Sequence, residues 1–140
     1  MSDELPHGWV LAALADLTQN PKQDIISGPF GSNLKSDEYV SEGVPIVRLQ
    51  NVDRNKFLKK NMRFIAPLKA RELSAHNFRS GDIVITKLGD PLGKACAIPE
   101  SLPYGIVVAD VVRVRIDEKR FLREYVLYAI NSPAVVNQIN

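Results

Sequence analysis

Ser80-Gly81-Asp82-Ile83-Val84-Ile85-Thr86-Lys87-Leu88 is the stretch on which the fold turns. A small-residue turn opens a run in which Ile83 and Ile85 alternate against Val84 and Thr86, the period-2 pattern of a β-strand. Downstream, Gly89-Asp90-Pro91-Leu92-Gly93 makes a tight connection into a second strand over Lys94–Ile98. Ile106–Ile116 is rich in β-branched residues and long enough for two strands or one bent one. Upstream, Val44–Val52 reads as a strand with Val47 and Leu49 on one face and Ile46, Arg48 and Gln50 on the other. Asn51–Asn61 is then a basic connection to a short strand, Met62–Ile65, and Ile25-Ile26 is another.

Helices fill the remainder. Trp9, Val10, Ala13, Leu14 and Leu17 have the spacing of a short amphipathic helix, which Asn20-Pro21 ends because proline disfavours helix in the residue before it. Ser27 to Asn33 is a loop. Pro67 at a first turn opens a helix to His76, and Asp117 is placed to cap Glu118–Ile130. Ser132-Pro133 has the form of a cap and first residue of a last helix. The expected fold class is α+β: one compact domain over 1–140, with a mixed, mostly antiparallel twisted sheet of about six strands and a few flanking helices.

A chain of 140 residues buries roughly two-thirds of its unfolded surface, enough for a self-sufficient core. Its ordinary balance of 45% hydrophobic and 24% charged residues excludes the disordered and low-complexity classes. Cys96, the one cysteine, cannot form an internal disulfide, and Met1-Ser2-Asp3-Glu4 lacks the basic start of a signal peptide. A cytoplasmic location is expected. No apolar run reaches the ~18 residues of a membrane span.

The net charge of +2 conceals a segregation. Arg48 to Arg71 carries eight basic residues against Asp53 alone, a net of +7, while the rest of the chain is at −5. Such an asymmetry orients a polyanion on one face, and it equally fits a solvated lysine-rich connection.

Several catalytic readings fail on spacing. Gly89-Asp90-Pro91-Leu92-Gly93-Lys94 has three residues between its glycines and Ala95 after the lysine, whereas a phosphate loop needs four, and Ser or Thr for magnesium. Gly28 and Gly31 likewise make turns rather than a dinucleotide fingerprint. Asp110 with Asp117-Glu118-Lys119 is the nearest approach to a metal-dependent nuclease pattern, at a short spacing. Cys96 sits among Ala95, Ala97 and Ile98, where burial makes it inert packing. His7 and His76 read as surface residues with no zinc spacing to Cys96. The chain is therefore assigned no catalytic residue, metal ligand or cofactor.

What remains is a set of polar and basic side chains on loops and strand ends: Ser32, Asn33, Lys35, Arg48, Gln50, Asn51, Arg54, Lys56, Lys87, Asp90 and Lys94. Arg, Asn and Gln can each bond a base edge at two points, and Lys neutralises phosphate. Arg48, Gln50 and Asn51 are the candidates for base contacts, and Lys35, Lys56, Lys87 and Lys94 those for phosphate. Two other classes stay open: a metal-dependent enzyme acting on nucleic acid, and a protein-interaction module with a solvated basic segment.

Four segments, in order, resemble the target-recognition domains of type I restriction-modification specificity subunits. Leu5-Pro6-His7-Gly8-Trp9 resembles their LPxGW opening, and Val44-Pro45-Ile46-Val47-Arg48-Leu49-Gln50-Asn51-Val52 their GIPxIRxxNV strand. Ser80 to Asp90 is similar to GDILxxRxG, and Pro91-Leu92-Gly93-Lys94-Ala95 to the xIGKxA that follows it. The resemblance implies a non-catalytic module that binds double-stranded DNA and reads half of a bipartite target. Methyl transfer with S-adenosylmethionine, and cleavage with ATP and magnesium, are then the work of separate modification and restriction subunits. It also implies that 117–140 is helical and begins the spacer between two such domains. Recognition residues vary with target in this family, so the site list rests on side-chain chemistry.

Overall fold

Strands whose two faces are both apolar need cover on both sides, and this chain provides it by packing one sheet against another. The computed structural model describes residues 14–29, 34–87, 93–133 and 135. Within them the chain runs through α1 (Pro21–Asp24), β1 (Ile25–Ser27), β2 (Tyr39–Val40), β3 (Val44–Val47), β4 (Val52–Asp53), β5 (Lys56–Phe57) and β6 (Arg63–Ile65). It continues with α2 (Pro67–Glu72), β7 (Asn77–Arg79), β8 (Ile83–Thr86), β9 (Ala95–Ala97), β10 (Tyr104–Val107), β11 (Val111–Val114) and α3 (Arg123–Ile130).

The class is α+β. One sheet has the order β1-β11-β8-β9 and is antiparallel throughout. The second, β2-β6-β3-β10-β7, holds one parallel pair, β3 with β10, among antiparallel ones. β4 and β5 form a separate hairpin. The pairing is mixed and mostly antiparallel, as the sequence suggests, but the strands divide between two sheets in place of one sheet of about six.

Alternation along the strands explains the division. On β8, Ile83 and Ile85 join a cluster with Leu14, Val112, Val114 and the Val126, Leu127 and Ile130 face of α3. Val84 turns the other way, into a cluster with Val47, Phe78, Cys96, Val107 and Val111 that fills the space between the sheets. On the far side, Ile46, Ile65 and Ile106 of the second sheet pack against Ala70 and Leu73. Both faces are thus enclosed at Ile46–Val47, Ile83–Thr86, Ile106–Val107 and Val111–Val114, which is why β-branched residues dominate these stretches. Ile106–Ile116 resolves into two strands, β10 and β11, in different sheets.

Three local expectations need correction. Asn20-Pro21 does not simply end a helix: Pro21 occupies the first position of α1, where its missing N–H costs nothing. The strand expected over Val44–Val52 stops at Val47 and gives way to a 3-10 turn, Leu49–Asn51. Asp117 caps no long helix. It accepts from the Lys119 amide in a separate turn, and α3 starts only at Arg123. The expected helix over Trp9–Leu17 lies mostly outside the described residues. Among those residues no helix is long and apolar enough to cross a membrane.

Candidate nucleic-acid interface

The site begins where β3 ends. Asn51 is fully buried: its Oδ1 accepts from the Arg48 amide at 3.0 Å, and its Nδ2 donates to the carbonyls of Leu58 and Lys60 at 2.9 and 3.1 Å. Asn51 therefore shapes the backbone, and its expected base contact is corrected, because every polar atom of its side chain already has a partner. The turn it holds sets out Arg48, half-buried, and Gln50, exposed. Arg48 Nη2 donates to the Asn61 carbonyl, which a left-handed Asn61 (φ 52°) helps to present. Arg48 Nε is enclosed and has no hydrogen-bond partner.

Arg48, Leu49 and Gln50 line one wall of a cleft of about 300 Å³. Pro29 and Leu34 bound it from the loop after β1, Tyr39 from β2, and Val108, Ala109 and Asp110 from the β10–β11 connection. That connection is held from several directions. The Lys87 amide, just past β8, donates to the Asp110 carbonyl at 2.8 Å, and Val111 N closes a turn onto Val108 O at 3.1 Å. Gly28 lies so close that an added Cβ would come within 1.9 Å of the Val108 carbonyl group, so no other residue fits there. Lys87 Nζ reaches Ser27 Oγ at 3.2 Å. The ends of β1, β3, β8 and β10 are thereby gathered, and with them Arg48, Gln50 and Lys87.

A second basic group lies beside the β4–β5 hairpin. Asn55, left-handed at its tip (φ 55°), donates its amide to the Ala95 carbonyl at 2.8 Å and pins the hairpin to β9. The contact sets the backbone of Arg54 and Lys56, next to Asn55, beside that of Lys94, next to Ala95; Lys56 is exposed and Lys94 half-buried. Lys94 is fixed by its backbone, since its amide donates to Thr86 Oγ1 at 3.0 Å and its carbonyl accepts from Thr86 N at 2.9 Å. Lys35 is exposed, with its amide on Glu38 Oε1. Ser32, Asn33 and Asp90 lie outside the described residues.

The basic segment is less uniform in space than in sequence. Lys69 pairs with Glu38 at 3.0 Å and Glu72 at 3.4 Å, so its charge is balanced by acids beyond the segment. The hydrogen bond from the Lys35 amide, and then that from Lys69, holds the Glu38 carboxyl below its ordinary range. Cys96 is buried, and burial pushes its thiol up to about 12, which leaves no reactive thiolate. His76 Nδ1 lies 2.7 Å from the Ser27 carbonyl, so its ring packs across to β1.

The nuclease-like pattern comes apart. Asp110 and Asp117 flank β11, and six residues of near-extended chain separate them by about 20 Å. Asp117 is engaged by Arg120 at 2.9 Å and Gln19 at 3.3 Å, and Glu118 by Arg123 at 2.7 Å. Among the described residues no three His, Cys, Asp or Glu side chains gather to hold a metal.

The cleft wall formed by Tyr39 and Val108–Asp110 is missed by a reading of polar runs alone. A signal for it exists: Ala109-Asp110 interrupts a β-branched run, so a two-strand reading of Ile106–Ile116 would have placed Asp110 at a strand end.

An α+β domain with paired sheets and a strand-end cleft is the class defined by this geometry. Solved structures share the fold, these two among them. One is the HsdS subunit from Thermoanaerobacter tengcongensis, at 16% identity and a TM-score of 0.57, covering 99% of this chain and 36% of that one. The other is a chain from a structure concerned with complex assembly and conformational transition of the type I R-M system, at 17% identity and a TM-score of 0.58, covering 96% and 35%. This chain spans about a third of the length of each. No protein-family model matches it, and no curated protein does.

Proposed function

We propose that this chain is a target-recognition domain of a type I restriction-modification specificity subunit, which reads one half of a bipartite site in double-stranded DNA. The observation that carries the reading is the fold shared with about a third of an HsdS chain, over 99% of this one. That overlap is what one recognition domain of a two-domain subunit would give. Three of the four ordered sequence resemblances support it as well, since they fall at least in part on elements that build the site: β3 and its turn, β8, and the strand after Gly93; the Leu5–Trp9 segment lies outside the described residues.

On this reading Arg48 and Gln50 contact base edges, and Lys87, Lys94, Lys56 and Lys35 contact phosphate. Arg54, Ser32, Asn33 and Asp90 are further candidates on side-chain chemistry alone. The domain is non-catalytic and takes no cofactor. Methyl transfer and cleavage fall to the modification and restriction subunits of the full complex, in the cytoplasm.

Titration of duplex DNA at several salt concentrations tests this directly. Affinity should fall steeply with salt, because each neutralised phosphate releases counterions. Lys94→Ala should weaken all duplexes alike and reduce the salt slope by about 1. Absence of binding at low salt, to random and selected duplexes alike, would overturn the reading.

A further inference from the structure

The cleft that carries Arg48 and Gln50 also contains an acid. Asp110 lines it, in a region where the neighbouring basic segment invites phosphate. A carboxylate there repels the DNA backbone. It has a favourable role only where it meets a hydrogen-bond donor, and the donors on base edges are exocyclic amino groups: cytosine N4 and adenine N6 in the major groove. Among the described residues no hydrogen bond or ion pair engages the Asp110 carboxylate. Its backbone, by contrast, is tightly placed by the Lys87 amide, the Val108–Val111 turn and the close approach of Gly28. Such a fixed mounting, on a turn between strands of two different sheets, suits a group that must discriminate by position.

We infer that Asp110 is a specificity-determining residue of the cleft, accepting a hydrogen bond from the exocyclic amino group of one base in the target. The inference rests on the DNA-reading function proposed above and adds to it an acceptor of opposite chemistry to Arg48 and Gln50. Together the three would cover an acceptor-rich edge, through Arg48, a mixed edge, through Gln50, and a donor edge, through Asp110.

Selection of bound duplexes from a random pool, with the wild-type chain and Asp110→Ala, tests it. The wild type should fix one position as cytosine or adenine, and Asp110→Ala should lose preference there alone while other positions keep theirs. A second arm uses only the wild-type chain and so does not depend on the variant folding. The selected base is replaced by its counterpart lacking the amino group, 2-pyrimidinone for cytosine or unsubstituted purine for adenine. Binding should fall on the order of 10- to 100-fold, and the base that responds identifies the source of the amino group. If Asp110→Ala instead raises affinity uniformly and keeps the motif, the carboxylate only repels phosphate and the inference fails. Full binding of every amino-deleted duplex overturns it as well, with DNA reading itself intact. A wild-type chain that selects no motif and binds no duplex at low salt defeats the function first, and the inference with it.

Discussion

The two ends of β11 use the same side chains for opposite purposes. Toward its C-terminal end, Arg113 is 1% exposed between the sheets and donates to the carbonyls of Asn77 and Gln23, each at 2.8 Å. Arg115 grips both oxygens of Asp82, at 2.9 and 2.8 Å, and reaches Asn77 Oδ1 at 3.0 Å. At the N-terminal end stand Asp110 and, across the cleft, Arg48, which spends one nitrogen on the Asn61 carbonyl and keeps an enclosed Nε without a partner. Arginine and aspartate thus occur at both ends. On the function proposed above, what separates a clamp from a reader is how far the hydrogen-bonding capacity is already satisfied within the fold. At the clamp, the Asp82 hydrogen bonds raise the Arg115 pKa, while burial lowers that of Arg113, whose charge is sustained by carbonyl acceptors.

This contrast is broken most easily at Asp82. Its carboxylate is nearly buried and also accepts from the Arg79 amide at 2.8 Å, so Asp82→Ala leaves a guanidinium and an amide short of an acceptor at once. A loss of about 3–5 kcal/mol is expected in urea unfolding, because removing one partner of an enclosed pair leaves the other uncompensated. The double variant Asp82→Ala/Arg115→Met should recover part of it. A loss under about 1 kcal/mol would mean that the pair is not the clamp described.

Asn51→Ala comes next. It removes the acceptor of the Arg48 amide and the donor to two carbonyls inside the fold, for an expected cost of about 2 kcal/mol. The β3 turn should loosen with it, so on the proposed function base preference at the Arg48 position should blur, although the polar atoms of Asn51 are engaged inside the fold.

The fate of Asn51 shows where sequence stops being informative. β-branched alternation located β8 and the Ile106–Ile116 pair, because burial on a pleated surface has a period of two and leaves that period in the composition. Partition between two sheets leaves no such trace: Ile83, Val84 and Ile85 are all buried, and only the packed structure says that Val84 belongs to a different cluster. Polar residues are harder still. Arg48, Asn51, Asp82 and Arg115 all have the side-chain chemistry of nucleic-acid contacts, yet the last three are consumed by internal partners 3 to 38 residues away. Asp82 sits in the motif-like Ser80-Gly81-Asp82 turn for a structural reason. Gly81, at φ 89°, leaves room for Arg123, and Asp82 then faces Arg115.

Arg48→Ala sharpens the other side of the comparison. Its guanidinium makes one internal hydrogen bond at the surface, so the loss of stability should stay within about 1 kcal/mol by urea unfolding. On the proposed function its effect falls on binding, where the preference at one base pair should relax by about 1–3 kcal/mol while phosphate-driven affinity persists. A destabilisation as large as that of Asp82→Ala would make Arg48 a clamp too, and erase the distinction.

The smallest effect is a dependence on pH just past the clamp end of β11. Burial pushes the Asp117 carboxyl up, but bonds from Arg120, Gln19 and the Lys119 amide outweigh it and hold the carboxyl below its ordinary value. A lowered pKa in the folded state means that the contribution is complete above the ordinary carboxylate value, near 4, and is lost as pH falls through the folded one. Asp117→Asn removes the titrating group and its ion pair with Arg120. The stability gap between wild type and variant should therefore be open at pH 7 and close as the wild-type carboxyl protonates, read as converging urea midpoints between pH 7 and pH 2. A gap that stays constant over that range would show that Arg120 and Gln19 hold the protonated side chain equally well, leaving the turn anchored by geometry rather than by charge.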